Sequence, residues 1–559
     1  MESVSVSRRD FLKMVGLGAA GFAVGGGRAF SANKVVGKPN IVLIMADDMG
    51  YSDIGCYGGE IETPNIDRLA AGGLRFSQFY NGARCCPTRA SLLTGLYAHQ
   101  TGVGLMANGP SFEKESDAGL PGYRGFLNRN CVTIGEVLKG AGYHTLMSGK
   151  WHVGYHRKER WPLQRGFDRF YGIMDGVANY FHPKAPFGLW FGNERVEAKG
   201  ENYYLTDAFT DYAIRFVKEA RQQDDKPFFL YLAYTAPHWP LHARKEDMEK
   251  YRGRYMVGWD KIRAARYKRM VDMGFVKKEW ELSARDARAL EQLSEEKKKE
   301  MDFRMSIYAA QVDRMDQGIG RVVKMLKDMG ELDNTLILFL SDNGGCAEGG
   351  ELGGGKAEDL GSDRGFLLSY GQAWANASNT PYRRYKCWVY EGGISTPFIA
   401  YWPGVIKKGG GLTNEVGHII DIMATCCDAA GAEYPKNYKG NNIIPPESKS
   451  LVPIFRGHKG QSHECLFWEH LGGRAVRRGK WKLVASYRCQ WELYDMEADR
   501  TELTNLAEKH PEIVSELSMK YDEWAKRCGV EPWEKIRRIM KKQRSQWKAA
   551  RKAKEKKGG

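Results

Sequence analysis

Residues Pro39–Gly50 read PNIVLIMADDMG, an apolar run that ends in two adjacent aspartates. The run Ile41–Ala46 has the length and β-branched content of a strand buried on both faces of a parallel sheet. In open α/β sheets, ligands bind beyond the carboxyl ends of the strands. Asp47 and Asp48 therefore predict a polar site at the end of a central strand, although such a pair can also cap a helix.

Similar apolar runs alternate with helical patterns along the chain, which predicts an α/β fold with a large mixed, mainly parallel sheet flanked by helices. The other predicted strands are Thr145–Met147, Phe228–Tyr234, Thr335–Leu340 and Pro397–Tyr401. The predicted helices are Asn65–Gly72, Ser91–Tyr97, Thr133–Gly140, Leu205–Ala220 and Met305–Met329. Polar residues follow four strands and are predicted to share one site: Asp47 and Asp48, Lys150 and His152, His238, and Asp342 and Asn343.

The pattern changes after residue 460, where short alternating segments predict a small antiparallel sheet followed by a helix at Pro511–Arg527. We predict a catalytic domain over residues 33–460 and a C-terminal α+β subdomain over 461–530. Within the first, residues 241–304 are charged and predict a helical, solvent-facing insertion. Residues 350–383 are rich in Gly and Ser and predict a long loop near the site.

Composition places the chain among ordinary globular proteins, with 42% hydrophobic and 27% charged residues in 559. This excludes a disordered, collagen-like or multi-span membrane protein. The net charge is +16, but residues 534–559 alone contribute twelve Lys or Arg against two Glu. The basic excess therefore lies in a tail, 531–559, and does not support nucleic-acid binding by the body. We interpret the tail as a solvated helix end, with an acidic polymer as the alternative partner.

The amino terminus carries Ser7-Arg8-Arg9-Asp10-Phe11-Leu12-Lys13 before a weakly apolar, Gly-rich stretch. That stretch is too short for a membrane-spanning helix, which needs about 20 residues. The segment resembles a bacterial twin-arginine export signal, predicted over residues 1–32. The resemblance implies a periplasmic or secreted protein, with the twin-arginine translocase as a maturation partner. No later segment predicts a membrane span.

The segment Asn81–Gly95 reads NGARCCPTRASLLTG. Its C-x-P-S/T-R element followed by A-S-L-L-T-G resembles the signature of type I sulfatases, members of the alkaline phosphatase superfamily. In that family the first cysteine is oxidised to Cα-formylglycine, which implies modification of Cys85 by a formylglycine-generating enzyme. Arg89 matches the arginine that holds the nucleophile. Thr88 replaces the commoner serine, and Cys86 occupies the variable position.

Other family motifs follow in the family's order over about residues 38–530. They are the Asp47-Asp48 segment, Gly149-Lys150-Trp151-His152, Ala236-Pro237-His238, Ser341-Asp342-Asn343-Gly344 and Lys386 with Glu391-Gly392-Gly393. The resemblance implies an alkaline phosphatase-like fold and one Ca²⁺ held by Asp47, Asp48, Cys85, Asp342 and Asn343. The family usually has an arginine at the position of Ser395, which puts local packing or a substrate contact in doubt.

The same residues make chemical sense for sulfate ester hydrolysis. Carboxylate and amide oxygens suit a hard divalent cation, and Lys150, Lys386 and Arg89 add positive charge around an anionic substrate. The resemblance implies attack on sulfur by one hydroxyl of the hydrated formylglycine, with the second hydroxyl deprotonated to release sulfate. It gives His152 the role of base and His238 or Lys386 that of acid toward the leaving alcohol.

We therefore expect an exported sulfatase that hydrolyses an O-sulfate ester of a sulfated glycan to an alcohol and inorganic sulfate. One alternative is a phosphonate monoester or phosphodiester hydrolase of the same superfamily. A second is a sulfated-glycan-binding protein in which Cys85 stays unmodified. His99, Tyr155, His156, His182, His242, His470 and Arg474 are interpreted as structural rather than as pocket residues.

Overall fold

The computed structural model describes residues 37–107 and 117–557. A ten-stranded sheet lies at its centre, in the order β10-β2-β9-β8-β1-β7-β3-β4-β5-β6. Its strands are β1 (Asn40–Asp47), β2 (Leu74–Tyr80), β3 (His144–Lys150), β4 (Arg169–Ile173), β5 (Leu189–Phe191), β6 (Glu194–Val196), β7 (Phe228–Pro237), β8 (Thr335–Ser341), β9 (Phe398–Tyr401) and β10 (Gly411–His418).

The five adjacent strands β8, β1, β7, β3 and β4 run parallel to one another, which agrees with the predicted, mainly parallel sheet. Every residue of β1 is buried, and its side chains alternate between two hydrophobic layers. Val42 and Ile44 face one layer, whereas Leu43 and Met45 face the other. A strand covered on both faces needs apolar residues at every position, which explains why its sequence is a continuous apolar run.

Within the described part of the chain, helices cover both faces of this sheet. The helices are α1 (Pro64–Gly72), α2 (Cys85–Thr94), α3 (Ala98–Thr101), α4 (Ile134–Gly140), α5 (Leu205–Gln223), α6 (Lys245–Glu249), α7 (Trp259–Asp272), α8 (Glu295–Asp328), α9 (Gly371–Ser378), α10 (Glu391–Ile394), α11 (Asp421–Ala430), α12 (Val452–Phe455), α13 (Pro511–Cys528) and α14 (Trp533–Lys557). Buried side chains of α1, α5 and α8 belong to one layer, and those of α2, α4, α11 and α13 to the other.

Strand β9 corrects one expectation, because it pairs antiparallel with both β8 and β2. The predicted strand Pro397–Tyr401 is present, but it does not continue the parallel set. The chain leaves the sheet at the carboxyl end of β8 and, after a long connection, re-enters it at that same end. Leu340, near the end of β8, pairs with Phe398 at the start of β9, so the chain must run back across the sheet.

The insertion at 241–304 is helical only in part and is not simply solvent-facing. Helix α7 carries the fully buried Arg266, whose guanidinium lies 2.7 Å from carboxylate oxygens of both Asp53 and Glu60. Tyr255 and Trp259 belong to the hydrophobic layer beside it. The charged composition did not predict this inward face, because arginine is usually exposed and becomes buried only when it is paired, as it is here with two carboxylates. The predicted loop 350–383 also contains a helix, α9.

A second sheet of four antiparallel strands follows: β13 (Leu466–His470), β14 (Gly473–Arg478), β15 (Trp481–Ala485) and β16 (Glu492–Asp495). A two-stranded ribbon, β11 (Asn437–Tyr438) and β12 (Asn441–Asn442), precedes it. The small C-terminal sheet with its helix α13 is therefore confirmed. The domain boundaries at residues 32, 460 and 530 stay predictions, and the export signal at 1–32 lies outside the described residues. Among those residues, no helix is long and apolar enough to cross a bilayer.

Candidate active site

The carboxyl ends of β8, β1, β7 and β3 bring the predicted polar residues to one edge of the sheet. Asp47 ends β1, and its Oδ2 accepts a hydrogen bond of 2.6 Å from Nζ of Lys150, the last residue of β3. Both side chains are fully buried. Burial raises the pKa of Asp47, although Lys150 and Arg89 oppose that shift. Within the described part of the chain, Asp47 Oδ1 has no hydrogen-bond partner.

Arg89 on α2 holds the carboxylate that follows β8. Its Nε and Nη2 donate to Asp342 Oδ2 at 3.0 and 2.7 Å, and its Nη1 donates to the Lys150 carbonyl at 3.2 Å. Burial and the nearby charge of Asp47 raise the pKa of Asp342 to about 8. The cations present therefore do not fully offset the gathered carboxylates.

Asp48 occupies the centre of the cluster and has a left-handed backbone, with φ of 66°. Its carboxylate accepts hydrogen bonds from Asn343 Nδ2 at 2.7 Å and from Lys386 Nζ at 2.9 Å. Its Oδ2 also lies 3.3 Å from His238 Nε2. Burial raises the pKa of Asp48, but His238 and Lys386 outweigh it and lower the value to about 2. Asp48 is therefore an anion that links the ends of three strands.

His238 follows β7 and lies beside the second lysine of the site. Its Nδ1 lies 2.7 Å from the carbonyl oxygen of Trp239, and its Nε2 lies 3.4 Å from Lys386 Nζ. Burial lowers the pKa of His238 to about 4, against the opposing charge of Asp48. The neutral ring can therefore donate Nδ1–H to the backbone while Nε2 faces the site.

Cys85 is the first residue of α2 and is fully buried. Sulfur or nitrogen atoms of Cys85, Cys86 and His152 all lie within 4.8 Å of one another. Cys86 Sγ lies 3.2 Å from His152 Nε2, and the Cys86 thiol accepts a hydrogen bond from the backbone of Ala107. A hydrogen bond from Cys86 lowers the pKa of Cys85 well below its usual value, with Lys150 and His152 assisting against burial. Cys85 thus lies at a helix amino terminus beside the positive charge of Lys150, and both features favour an anion there.

Two departures from the family pattern have structural explanations. The hydroxyl of Thr88 accepts a hydrogen bond of 2.8 Å from the amide of Gly82, so threonine keeps the contact that braces the loop before Cys85. At the position where the family has arginine, Ser395 donates to Glu391 at 2.9 Å. Lys482 and Arg500 from the C-terminal part supply the positive charge there, at 2.8 and 3.2 Å from Glu391.

The structure thus brings together all the predicted site residues, namely Asp47, Asp48, Cys85, Arg89, Lys150, His152, His238, Asp342, Asn343 and Lys386. The sequence interpretation missed Cys86, whose contact with His152 had no signal beyond its place in the motif. It also missed Glu348, which lies in a Gly-rich loop without periodicity. Glu348 binds Arg84 and the Trp239 indole and lies 3.6 Å from Lys386.

His470 is a buried histidine at the end of β13 that was interpreted as structural. Neither of its ring nitrogens has a hydrogen-bond partner among the described residues. Burial and the charge of Arg84 lower its pKa to about 3. His99, in contrast, lies 2.9 Å from Glu469, which agrees with a structural role.

Comparisons with known proteins agree with this geometry. The family model described as Sulfatase matches residues 39–432, and the one described as N-sulphoglucosamine sulphohydrolase, C-terminal, matches residues 383–527. An uncharacterized sulfatase of Schizosaccharomyces pombe is 36% identical over 525 residues, which cover 88% of this chain and 94% of that protein. An arylsulfatase of Klebsiella aerogenes is 33% identical over 436 residues, covering 75% and 92%.

Among solved structures, Ps i-CgsB in complex with k-i-k-neocarrahexaose superposes with a TM-score of 0.64 at 27% identity, covering 87% of this chain and 93% of that one. The family model spans well over half of the chain, and its matched range contains all ten predicted site residues. The chain therefore belongs to the sulfatase family and is a sulfuric ester hydrolase.

Proposed function

We propose that this sulfatase removes O-sulfate groups from a sulfated glycan outside the cytoplasm, using Cα-formylglycine at Cys85 and one Ca²⁺. The observation that carries the proposal is the position of Cys85, buried at the start of α2 among Lys150, His152 and three carboxylates. A glycan substrate is supported by the 27% identical Ps i-CgsB, which was solved with a hexaose. The twin-arginine pattern supports export.

The donor set fits a hard divalent cation. Asp47 Oδ1 and Asn343 Oδ1 are buried oxygens without hydrogen-bond partners among the described residues. The raised pKa of Asp342 reflects burial and the nearby Asp47 carboxylate. Asp47, Asp48, Asp342 and Asn343, together with the residue at 85, would hold the ion. Oxygen donors of this kind favour Ca²⁺ or Mg²⁺ over softer metals. When bound, the cation polarises the S–O bonds and screens the charge of the sulfate.

Conversion of Cys85 would have to precede folding, because its side chain is fully buried in the folded chain. Twin-arginine export carries folded proteins, so we place the modifying enzyme in the cytoplasm. The hydrated aldehyde supplies a hydroxyl that a thiol cannot, and this hydroxyl is the nucleophile toward sulfur.

The remaining side chains have distinct tasks around the sulfate. Arg89 is committed to Asp342 by two hydrogen bonds and keeps α2 in place against β8. Lys150 presents its charge between Asp47 and the residue at 85. His152 lies within 4.8 Å of the residue at 85, in position to remove a proton from a hydroxyl there. Lys386, whose ammonium lies 3.4 Å from His238 Nε2, is placed to protonate the leaving alcohol, either directly or by passing a proton through His238.

The decisive experiment combines mass spectrometry with kinetics. Protein matured in a bacterium that has the modifying enzyme should yield a Cys85 peptide with the mass of formylglycine, and it should hydrolyse 4-nitrophenyl sulfate and release sulfate from a sulfated polysaccharide. Cys85→Ala should abolish turnover, whereas Cys427→Ala, at a half-buried thiol on α11, should not. An intact thiol at Cys85 would favour a binding protein. A higher kcat/KM for bis(4-nitrophenyl) phosphate would favour a phosphodiesterase.

A further inference from the structure

Helix α14 is the most basic element of the chain. Residues 533–557 carry twelve Lys or Arg and two Glu, and no acidic residue occurs between Glu534 and Glu555. The matches to the family models end at residues 432 and 527. The helix is therefore a feature of this chain that the family domains do not include.

The first turns of α14 are anchored to the body of the protein. Ile536 is fully buried in a small hydrophobic cluster with Leu105 and Tyr123. Leu471 and Trp533 pack against the same cluster. The hydroxyl of Tyr123 accepts a hydrogen bond of 3.1 Å from the backbone of Glu531, just before the helix. The start of α14 is therefore held firmly, and its buried apolar residue is already used in packing.

This anchor lies next to the loop that contacts the nucleophile. Met106 packs against the same cluster, and its Sδ lies 4.0 Å from Cys85 Sγ and 3.4 Å from Cys86 Sγ. Leu471 directly follows His470, the buried histidine near Arg84. Met106 thus contacts both the cluster that holds the root of α14 and the cysteine pair.

The described basic side chains beyond the anchor, from Arg537 to Arg544, are exposed, and the carboxylate of Asp117, a residue whose backbone contacts Gln543, is paired with Arg124. Glu531 and Glu534 at the root lie 2.8 Å from Lys535 and 3.6 Å from Arg488. Further along, Arg538, Lys541, Lys542 and Arg544 are exposed. At 1.5 Å per residue, the stretch 537–554 without acidic residues extends about 27 Å. Such a row of uncompensated charge creates a field that attracts a polyanion.

We infer that α14 is a binding arm for a linear polysulfated polysaccharide, which it holds beside the active site. The inference deepens the proposed function and rests on it for the nature of the polymer. A polymer of repeated sulfates matches a row of cations that begins next to a sulfate-cleaving site. An anionic membrane fits less well, because an interfacial helix needs a free apolar face, whereas Ile536 is buried in the protein and Met540 is the one exposed large apolar side chain among the described side chains of α14.

The test is a direct binding measurement that needs no turnover. The full mature chain is compared with a variant carrying Arg538→Glu, Lys541→Glu, Lys542→Glu and Arg544→Glu, and dextran sulfate is the probe. We expect the Kd of the variant for dextran sulfate to rise by at least about tenfold. Affinity of the native chain should fall steeply with salt, and neutral dextran should not bind.

A charge-matched control reverses four exposed lysines on other elements: Lys218, Lys261, Lys278 and Lys299. Its Kd should stay within about twofold of the native value. A second variant with Gln at the four α14 positions should lose affinity to a smaller degree, and the unfolding midpoints of all variants confirm that they fold. Equal losses in the control and the α14 variant, or no loss in either, would overturn the inference.

Two further outcomes separate the alternatives. Vesicles of phosphatidylglycerol that bind the native chain as tightly as dextran sulfate, through the same four residues, would overturn the choice of a polysaccharide. If α14-dependent binding of dextran sulfate is intact but no sulfate ester is hydrolysed, the proposed function fails and the binding arm stands. If sulfate esters are hydrolysed but the binding of dextran sulfate does not depend on α14, the inference about α14 fails and the proposed function stands.

Discussion

Lys482 on β15 is a position away from the active site where one substitution should strongly lower the free energy of unfolding. Its Nζ lies 2.8 Å from Glu391 Oε1 and 2.7 Å from Glu502 Oε1, and all three side chains are fully buried. Glu391 begins α10, five residues after Lys386 of the site. The ion pair therefore connects the small sheet to the segment that carries Lys386.

We predict that Lys482→Met lowers the free energy of unfolding by about 3–5 kcal/mol, the range found when one member of a buried ion pair is removed. The cost arises because two buried carboxylates then face each other. Arg500, 3.2 Å from Glu391, remains as a partner for one of them. Methionine has a similar length, so the loss of packing is small.

The assay is equilibrium unfolding in urea, followed by tryptophan fluorescence, with residual turnover of 4-nitrophenyl sulfate measured along the same titration. The matched control is Lys480→Met on the turn before β15, whose partly exposed ammonium lies 2.7 Å from Asp495. An exposed pair contributes about 1 kcal/mol or less. Adding Glu502→Gln to Lys482→Met should restore part of the stability. A Lys482→Met protein within about 1 kcal/mol of the native one, or a double variant without recovery, would refute the reasoning.

Four shorter predictions follow. Burial raises the pKa of Glu502 from 4.5 to about 7. Its contribution to the free energy of unfolding is therefore greatest below pH 4.5 and is lost as the pH rises through 7. In Glu502→Gln, the urea midpoint should change less with pH across that range. Cys86→Ala should lower kcat about tenfold or more by freeing His152, 3.2 Å away, with Cys86→Ser recovering part of it and the mass of the residue 85 peptide unchanged. Chelation of the proposed Ca²⁺ should lower the unfolding midpoint measured by calorimetry, and Asp342→Asn should make that shift smaller. Arg266→Met should lower the free energy of unfolding in urea by about 3–5 kcal/mol, because the buried Asp53 loses its arginine partner and the partly buried Glu60 keeps only Arg269 at 3.7 Å; a loss under about 1 kcal/mol would contradict this role.

Much of the central fold was predictable because it depends on local patterns. Continuous apolar runs identified β1, β3, β7 and β8, since a strand buried on both faces has no room for alternation. The polar residues directly after these strands identified the site. The carboxyl ends of adjacent parallel strands share one edge, and this brings Asp48 and Asn343, 295 residues apart, within a hydrogen bond.

Other features depend on contacts that no local pattern encodes. The direction of β9 follows from where the chain returns to the sheet after a long excursion. The inward face of 241–304 exists because Arg266 meets Asp53 and Glu60, more than 200 residues away in sequence. A charged residue that is far in sequence from its partners is predicted to lie on the surface, even when the fold buries it.

From the sequence alone we could predict the α/β class, the strand ends that bear the site and the residues that gather there, because buried strands and their ends have recognisable local patterns. Three contacts depend on the tertiary structure alone. Lys482 lies between Glu391 and Glu502, Cys86 contacts His152, and the root of α14 lies beside Met106. Electrostatic energies depend on distance and burial in space, and neither quantity is set by separation along the chain.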